Sequence, residues 1–231
     1  MIMNKTLFSL FLAIFSLPNV YADTVRVATF NVSMEASNYQ PKGASEHSGE
    51  VLLNLLESGE HQQIRNIAEI IQRVAPDIIL LNEFDYYPDT TPTAVSLFVK
   101  NYLNKSQQDQ TAIDYPYQYV APVNTGVATT FDLDNNGEKT GNAGDAYGWG
   151  MYPGQYGMAL LSRYPIDAAA VRTFQHFLWR DMPDALQITK PASGEPWFAP
   201  QEWAAVRLSS KSHWDIPVTI GGKKLNILAM H

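Results

Sequence analysis

The chain has 231 residues, enough for one domain with a sizeable core, and its 45% hydrophobic and 17% charged content is ordinary for a globular protein. A net charge of −7 excludes a strongly basic surface built to coat nucleic acid, but not an enzyme that meets phosphates through a bound metal. There are no cysteines, so neither disulfides nor a lipid-modified cysteine can serve this chain.

Residues 1–22 read as a secretory signal. Lys5 gives the positive start, Leu7 to Leu17 is almost wholly apolar, and Val20-Tyr21-Ala22 has the small-residue cleavage pattern. The apolar run is short for a permanent membrane helix. The expected product starts at Asp23 and is secreted or periplasmic, without a stable membrane anchor. An uncleaved anchor is the alternative.

Thr24 to Asn31 is rich in β-branched residues and reads as the first strand. Asn31 at its end offers an amide that can donate to a phosphate oxygen or a carboxylate; a plain strand-end asparagine is the competing reading. Asn38 to Gly49 is polar and punctuated by Pro41, Gly43 and Gly49, so it reads as a loop. Ile64, Ile67, Ala68, Ile71 and Val74 then make one apolar helical stripe, which Pro76 stops. Ile78 to Leu81 is a continuous aliphatic run, as in a strand buried on both faces. Glu83 stands where that strand ends, the place where α/β sheets collect ligands; a solvated glutamate is the plainer reading. Strand, helix, strand at this spacing indicates an α/β architecture.

A second helix is predicted from Thr91-Pro92, with Val95, Phe98, Val99 and Tyr102 on its buried face. Tyr115 to Val120 reads as an edge strand. Within the loop Thr125 to Gly154, Asp132, Asp134 and Asn136 fall at positions 1, 3 and 5 of a calcium-loop pattern with Gly137 at 6, but Ala143 stands where position 12 needs Glu. A compact calcium loop and a polar turn-rich loop both stay open. The glycines and aromatics from Gly141 to Tyr156 argue for an ordered, functional loop. Gly157 to Ile166 and Trp203 to Leu208 read as strands. Ser209 to Asp215 gathers Lys211, His213 and Asp215 in a polar connection. The chain closes with a hairpin turning at Gly221-Gly222 and running into His231.

Four of these pieces, in order, resemble the endonuclease/exonuclease/phosphatase superfamily, the DNase I-like phosphoesterases: Thr29-Phe30-Asn31, Pro76 to Glu83, Tyr156 to Ile166, and Leu228-Ala229-Met230-His231. The resemblance implies a four-layer α/β/β/α sandwich and metal-dependent phosphoester hydrolysis with Mg²⁺ or Mn²⁺. It implies Glu83 as metal ligand, Asn31 as a residue orienting phosphate or metal, and His231 as the histidine near the scissile phosphate. Asp132, Asp134 and Asn136 are candidates for a separate, structural Ca²⁺. The family's later Asp-x-Asn and Ser-Asp-His motifs do not appear, because Asp134-x-Asn136 lies too early. Residues 23–231 are therefore expected to be the N-terminal portion of the domain, a monomer when complete. The substrate is a phosphoester, and nucleic acid, nucleotide, phospholipid headgroup and sugar phosphate all stay open. A truncated inactive remnant and a calcium-dependent surface binding module are the competing functions.

Overall fold

The computed structural model describes residues 24–41, 49–88 and 90–231. The signal segment 1–22 lies outside them, as does most of the loop expected before Gly49. No helix among the described residues is long and apolar enough to cross a membrane.

Two sheets pack face to face. The first has the order β1-β2-β4-β3, from Val27–Met34, Ile78–Phe84, Met158–Ser162 and Tyr117–Tyr119. β1 and β2 run parallel, and β4 is antiparallel to both β2 and β3. β3 is an edge strand, as expected for Tyr115 to Val120. The second sheet has the order β5-β6-β7, from Arg172–Thr173, His213–Ile220 and Lys223–Met230. The predicted hairpin is there, and Gly221 and Gly222 take the left-handed conformations its tight turn requires (φ 54° and 78°).

The alternation of β2 explains the layering. Ile79 and Leu81 face a cluster shared with the helices, whereas Ile78 and Leu80 face the second sheet. The helices are α1, Glu50–Ser58, α2, Gln62–Val74, and α3, Ala94–Phe98, which continues as a π-helical turn Val99–Leu103. α2 is the predicted helix, and Ala75 ends it in the left-handed region (φ 47°) just before Pro76. α1 has no counterpart among the predicted elements. Between the sheets, Ile78, Leu80, Met158 and Leu160 meet Trp214, Ile216, Val218 and Ala229. The described residues thus supply an α layer and two β layers of the DNase I-like sandwich. On the outer face of the second sheet Leu228 and Met230 are exposed.

Two expectations fail locally. α3 is capped by Thr93, whose Oγ1 accepts from the Ser96 amide at 3.3 Å, two residues beyond the predicted cap at Thr91. Trp203 to Leu208 is no strand. Pro200 opens a helical turn, α4 (Pro200–Trp203), where Glu202 accepts from the Ala199 amide at 2.8 Å. Trp203 packs on Trp179 and Phe198 rather than in a sheet.

Trp214 is the largest fully buried side chain, and its indole N–H has no partner among the described residues. Trp214→Ala should lower the unfolding free energy by about 3–5 kcal/mol. Trp214→Phe, which also removes an unsatisfied donor, should cost less than half of that in the same urea titration.

Candidate functional site

The ends of β1 and β2 and the adjoining end of the β6–β7 hairpin meet at one rim of the sandwich. Asn31 and Asn82 are register partners across β1 and β2. Beyond them the pairing is broken: the register slips between Asn31 and Met34, a bulge that re-aims the side chains there. Ser33 and Glu83 both adopt positive φ, 48° and 55°. Tyr156, from the loop before β4, is a third such residue, at φ 56°. Non-glycine residues in this region carry strain of about 1–3 kcal/mol each and gather at functional sites.

Sequence reasoning named Glu83, Asn31 and His231, and the fold brings them together. His231 Nε2 lies 3.8 Å from Glu83 Oε1, and both side chains are about three-quarters buried. Ser33 links the other two: its amide donates to Asn31 Oδ1 at 3.1 Å and its hydroxyl to Glu83 Oε2 at 3.4 Å. With its oxygen so engaged, Asn31 has its NH2 group to offer a ligand. Among the described residues the Glu83 carboxylate accepts one hydrogen bond, from the Ser33 hydroxyl, and has His231 and the charge of Lys211 near it. The buried Oδ1 of Asn82, the preceding residue of β2, has no hydrogen-bond partner among the described residues. A carboxylate with so few hydrogen bonds is an oxygen donor of the kind that Mg²⁺ or Mn²⁺ takes, so Glu83 fits the cation that the resemblance implies.

Lys211 and Tyr156 complete the rim, and sequence reasoning gave neither a role. The Lys211 Nζ lies 5.4 Å from the Tyr156 ring centroid, and Trp149 packs against the same ring at 6.2 Å. Burial pulls the Lys211 ammonium below its ordinary range, and the Glu83 charge works against that. His231 is also lowered, by burial first and by Lys211 second, against the pull of Glu83 and a hydrogen bond to the Tyr156 backbone. The polar stretch 209–215 was the available signal. Its other members lie elsewhere: Asp215, on the outer face of β6, is held by Arg172 and by Asn226 at 2.7 Å. Those two bonds, Arg172's first, keep its carboxyl below the usual range.

Under the rim lies a buried polar layer. Asp85, 1% exposed, accepts the Ala36 amide at 2.8 Å, the Tyr156 amide at 2.9 Å, the Tyr152 hydroxyl at 2.5 Å and the Tyr87 hydroxyl at 3.2 Å. Glu35 is buried beside it and accepts from Gln155 at 2.8 Å and the Ser37 amide at 3.0 Å. The loop that carries Tyr156 is docked on β2 by Phe84 N to Gly157 O and Tyr86 N to Gly154 O. A Cβ at Gly154 would stand 2.0 Å from the Tyr86 oxygen, so only glycine allows that approach. Burial raises the Asp85 carboxyl, its hydrogen bonds to Tyr152, Ala36 and Tyr156 lower it, and Glu35 raises it; the outcome is a value of about 6.

The calcium-loop residues form a separate place. Asp132 and Asp134 bring carboxylate oxygens within 4.8 Å of each other and of Asp145. The third carboxylate is thus Asp145, which the sequence pattern missed because it lies outside the six-residue motif. Asn136 instead donates to Asp134 at 3.1 Å and accepts the Glu138 amide at 2.8 Å. Burial works against the Asp145 charge, yet bonds from Thr140, Leu133 and Gly141 keep its carboxyl below the usual range. Gly144 leaves the room: a Cβ there would lie 2.2 Å from Asp134 Oδ2.

A folded-state pKa above the unfolded one means that protonation of Asp85 favours the native state. Its contribution is complete below the unfolded carboxyl pKa of about 4 and is lost as pH rises through about 6. Asp85→Asn should therefore destabilise by about 1–3 kcal/mol at pH 7, through an amide that cannot accept every bond. The stability difference between wild type and variant should also widen as pH falls from 7 to 4. A parallel pair of pH–stability curves would show that Asp85 does not titrate in this way.

Comparison with known proteins follows the same lines. The family model described as Endonuclease/Exonuclease/phosphatase family matches residues 28–223. Among solved structures, an endonuclease/exonuclease/phosphatase family protein from Leptotrichia buccalis aligns at 14% identity and TM-score 0.39, over 90% of this chain and 55% of its own. An endonuclease/exonuclease/phosphatase from Beutenbergia cavernae aligns at 12% and 0.37, over 88% of this chain and 36% of its own. The chain spans about half or less of the length of these structures. No curated protein matches it. Since the family model covers most of the sequence, the chain belongs to the endonuclease/exonuclease/phosphatase family.

Proposed function

We propose that this protein is a secreted, metal-dependent phosphoester hydrolase acting at the Asn31–Glu83–His231 rim. The observation that carries the reading is Glu83, near the end of β2, 3.8 Å from an imidazole and with a single long hydrogen bond on its carboxylate. Glu83 would hold the cation. A divalent cation bound there supplies charge that polarises the phosphoryl group. The Asn31 NH2 donates to a phosphate oxygen. Lys211 adds a cation beside the Tyr156 ring. Burial lowers Lys211, and burial and the Lys211 charge lower His231; an arriving phosphate dianion works against both shifts. His231 stands where it can hydrogen-bond the departing oxygen. Among the described residues no second carboxylate approaches the imidazole to serve as general base, in keeping with the missing Asp-x-Asn and Ser-Asp-His motifs.

Two expectations test the reading. Residues 23–231 carrying Asp134→Asn, which removes the cation of the aspartate cluster, should bind Mn²⁺ in calorimetry, and adding Glu83→Gln should abolish that heat. Hydrolysis of a generic phosphodiester by the same protein should fall short of family members that carry the Asp-x-Asn and Ser-Asp-His motifs by about 10²–10⁴, the usual contribution of a general base. Manganese binding that is indifferent to Glu83→Gln would remove Glu83 from its role. Full turnover by residues 23–231 would remove the need for the missing motifs.

We also propose that Asp132, Asp134 and Asp145 hold a structural Ca²⁺. Calcium at one hundred times its dissociation constant should then add about 2.7 kcal/mol of stability. The exposed Asp134→Asn variant should lose the corresponding rise in melting temperature without unfolding. An equal rise in that variant places the ion elsewhere.

A further inference from the structure

Residues 187–203 and the turn at 132–135 enclose a cavity of about 490 Å³ that shares no residue with the Glu83–His231 rim. Its walls are tied together. The Trp197 indole donates to the Leu133 carbonyl at 2.9 Å, Asn135 Nδ2 to the Trp197 carbonyl at 3.1 Å, and Gln187 Nε2 to the Phe198 carbonyl at 2.7 Å. Phe198 and Trp203 are near-parallel rings 6.4 Å apart, and Trp179 packs on both. The cavity is therefore formed before any ligand arrives.

What the cavity still has to offer is lopsided. Asn135 and Gln187 each use one amide N–H on the walls, which leaves each with one N–H and its amide oxygen. Glu202 uses one oxygen on the Ala199 amide at 2.8 Å and keeps the other. Glu195 makes no side-chain bond among the described residues. Asp132 also lines the cavity, but its oxygens accept the Asn136 and Gly137 amides at 3.0 and 2.9 Å. Lys190 is the one cation of the lining, so Glu195 and Glu202 together leave one negative charge unbalanced. An anion is repelled by such a site. A neutral sugar can hydrogen-bond here but leaves that charge unbalanced. An alkylammonium or guanidinium group brings donors only, carries the missing charge, and packs on Trp and Phe faces. The molecule already makes such a pairing internally, with Arg207 lying 3.9 Å over the Tyr147 ring.

We propose that this cavity is a binding site for an organic cation with N–H donors, held by Trp197, Phe198 and Trp203 against Glu195 and Glu202. The cation can be a free amine or the side chain of an arginine or lysine in a peptide, and the two are separated by the choice of probe. Metal-free protein is titrated with agmatine, with an end-capped Gly-Arg-Gly peptide, and with methyl glucoside, by calorimetry and tryptophan fluorescence. Agmatine should bind and the glucoside should not. A peptide that binds as well as agmatine assigns the site to side chains, and a much weaker peptide assigns it to free amines. Trp203→Ala should weaken agmatine about 2- to 30-fold, the range of a cation on an aromatic face. Trp203 supports its neighbours, so the exposed Glu195→Gln variant serves as the control for folding, with an expected loss of about two- to fivefold. Absence of cation binding, tighter binding of the glucoside, or agmatine affinity unchanged in both variants would each overturn the proposal.

Discussion

One buried carboxylate organises the end of the sandwich that carries the candidate site. Asp85 collects an amide from the segment after β1, an amide and a hydroxyl from the loop before β4, and a hydroxyl from its own segment. Three chain segments far apart in sequence thereby share one acceptor. The convergence on Asp85 lies next to Ser33, Glu83 and Tyr156, whose positive φ costs about 1–3 kcal/mol each. Burial and the charge of Asp85 raise the Tyr152 and Tyr87 phenols far above their ordinary range, so both remain donors at any physiological pH.

The network also explains why the long loop is ordered. Loop 125–154 has little regular structure, yet its ends are fixed. Thr125 Oγ1 donates to the Ser210 carbonyl at 3.0 Å, and Asn124 Nδ2 to the Gln175 and Ser209 carbonyls at 2.7 Å. The loop therefore bridges the first sheet to the approach of the second. Tyr156 and Lys211, neighbours across the rim, come from the two sides of that bridge.

Much of this was legible in the sequence, and the exceptions have physical reasons. The runs Ile78–Leu81 and Met158–Leu161 read as buried strands, and α2 had both its stripe and its proline. Glu83, Asn31 and His231 were visible because each follows a run of strand-forming residues, although β1 and β2 continue past Asn31 and Glu83 to Met34 and Phe84. Lys211 was not assignable, since its place depends on where the β6–β7 hairpin packs, which is a tertiary fact. Asp85 reads in sequence as another acid after a strand. Only the fold shows that four donors converge on it. Trp203 to Leu208 misled because an apolar run of that length fits a strand or a helical turn equally, and the Pro200–Glu202 cap decided it.

The distance between Glu83 and His231 is set by packing between the sheets. The two groups belong to different sheets and share no backbone hydrogen bond. β6 begins and β7 ends at the same edge, His213 pairing with Met230, so the hairpin delivers Lys211 and His231 to the rim together. What places that hairpin over β2 and β4 is the apolar layer of Trp214, Ile216, Val218 and Ala229 on Ile78, Leu80, Met158 and Leu160. Tyr119 closes the side of this layer, its ring edge-on to Trp214 at 5.1 Å. Interiors packed to crystal density transmit displacement rather than absorb it. A loss of volume at Trp214 is therefore felt twice, once as stability and once as a change in the 3.8 Å gap between carboxylate and imidazole. The hydrophobic contact and the charged one are parts of a single geometry, in which the apolar layer sets the separation that the polar groups then use.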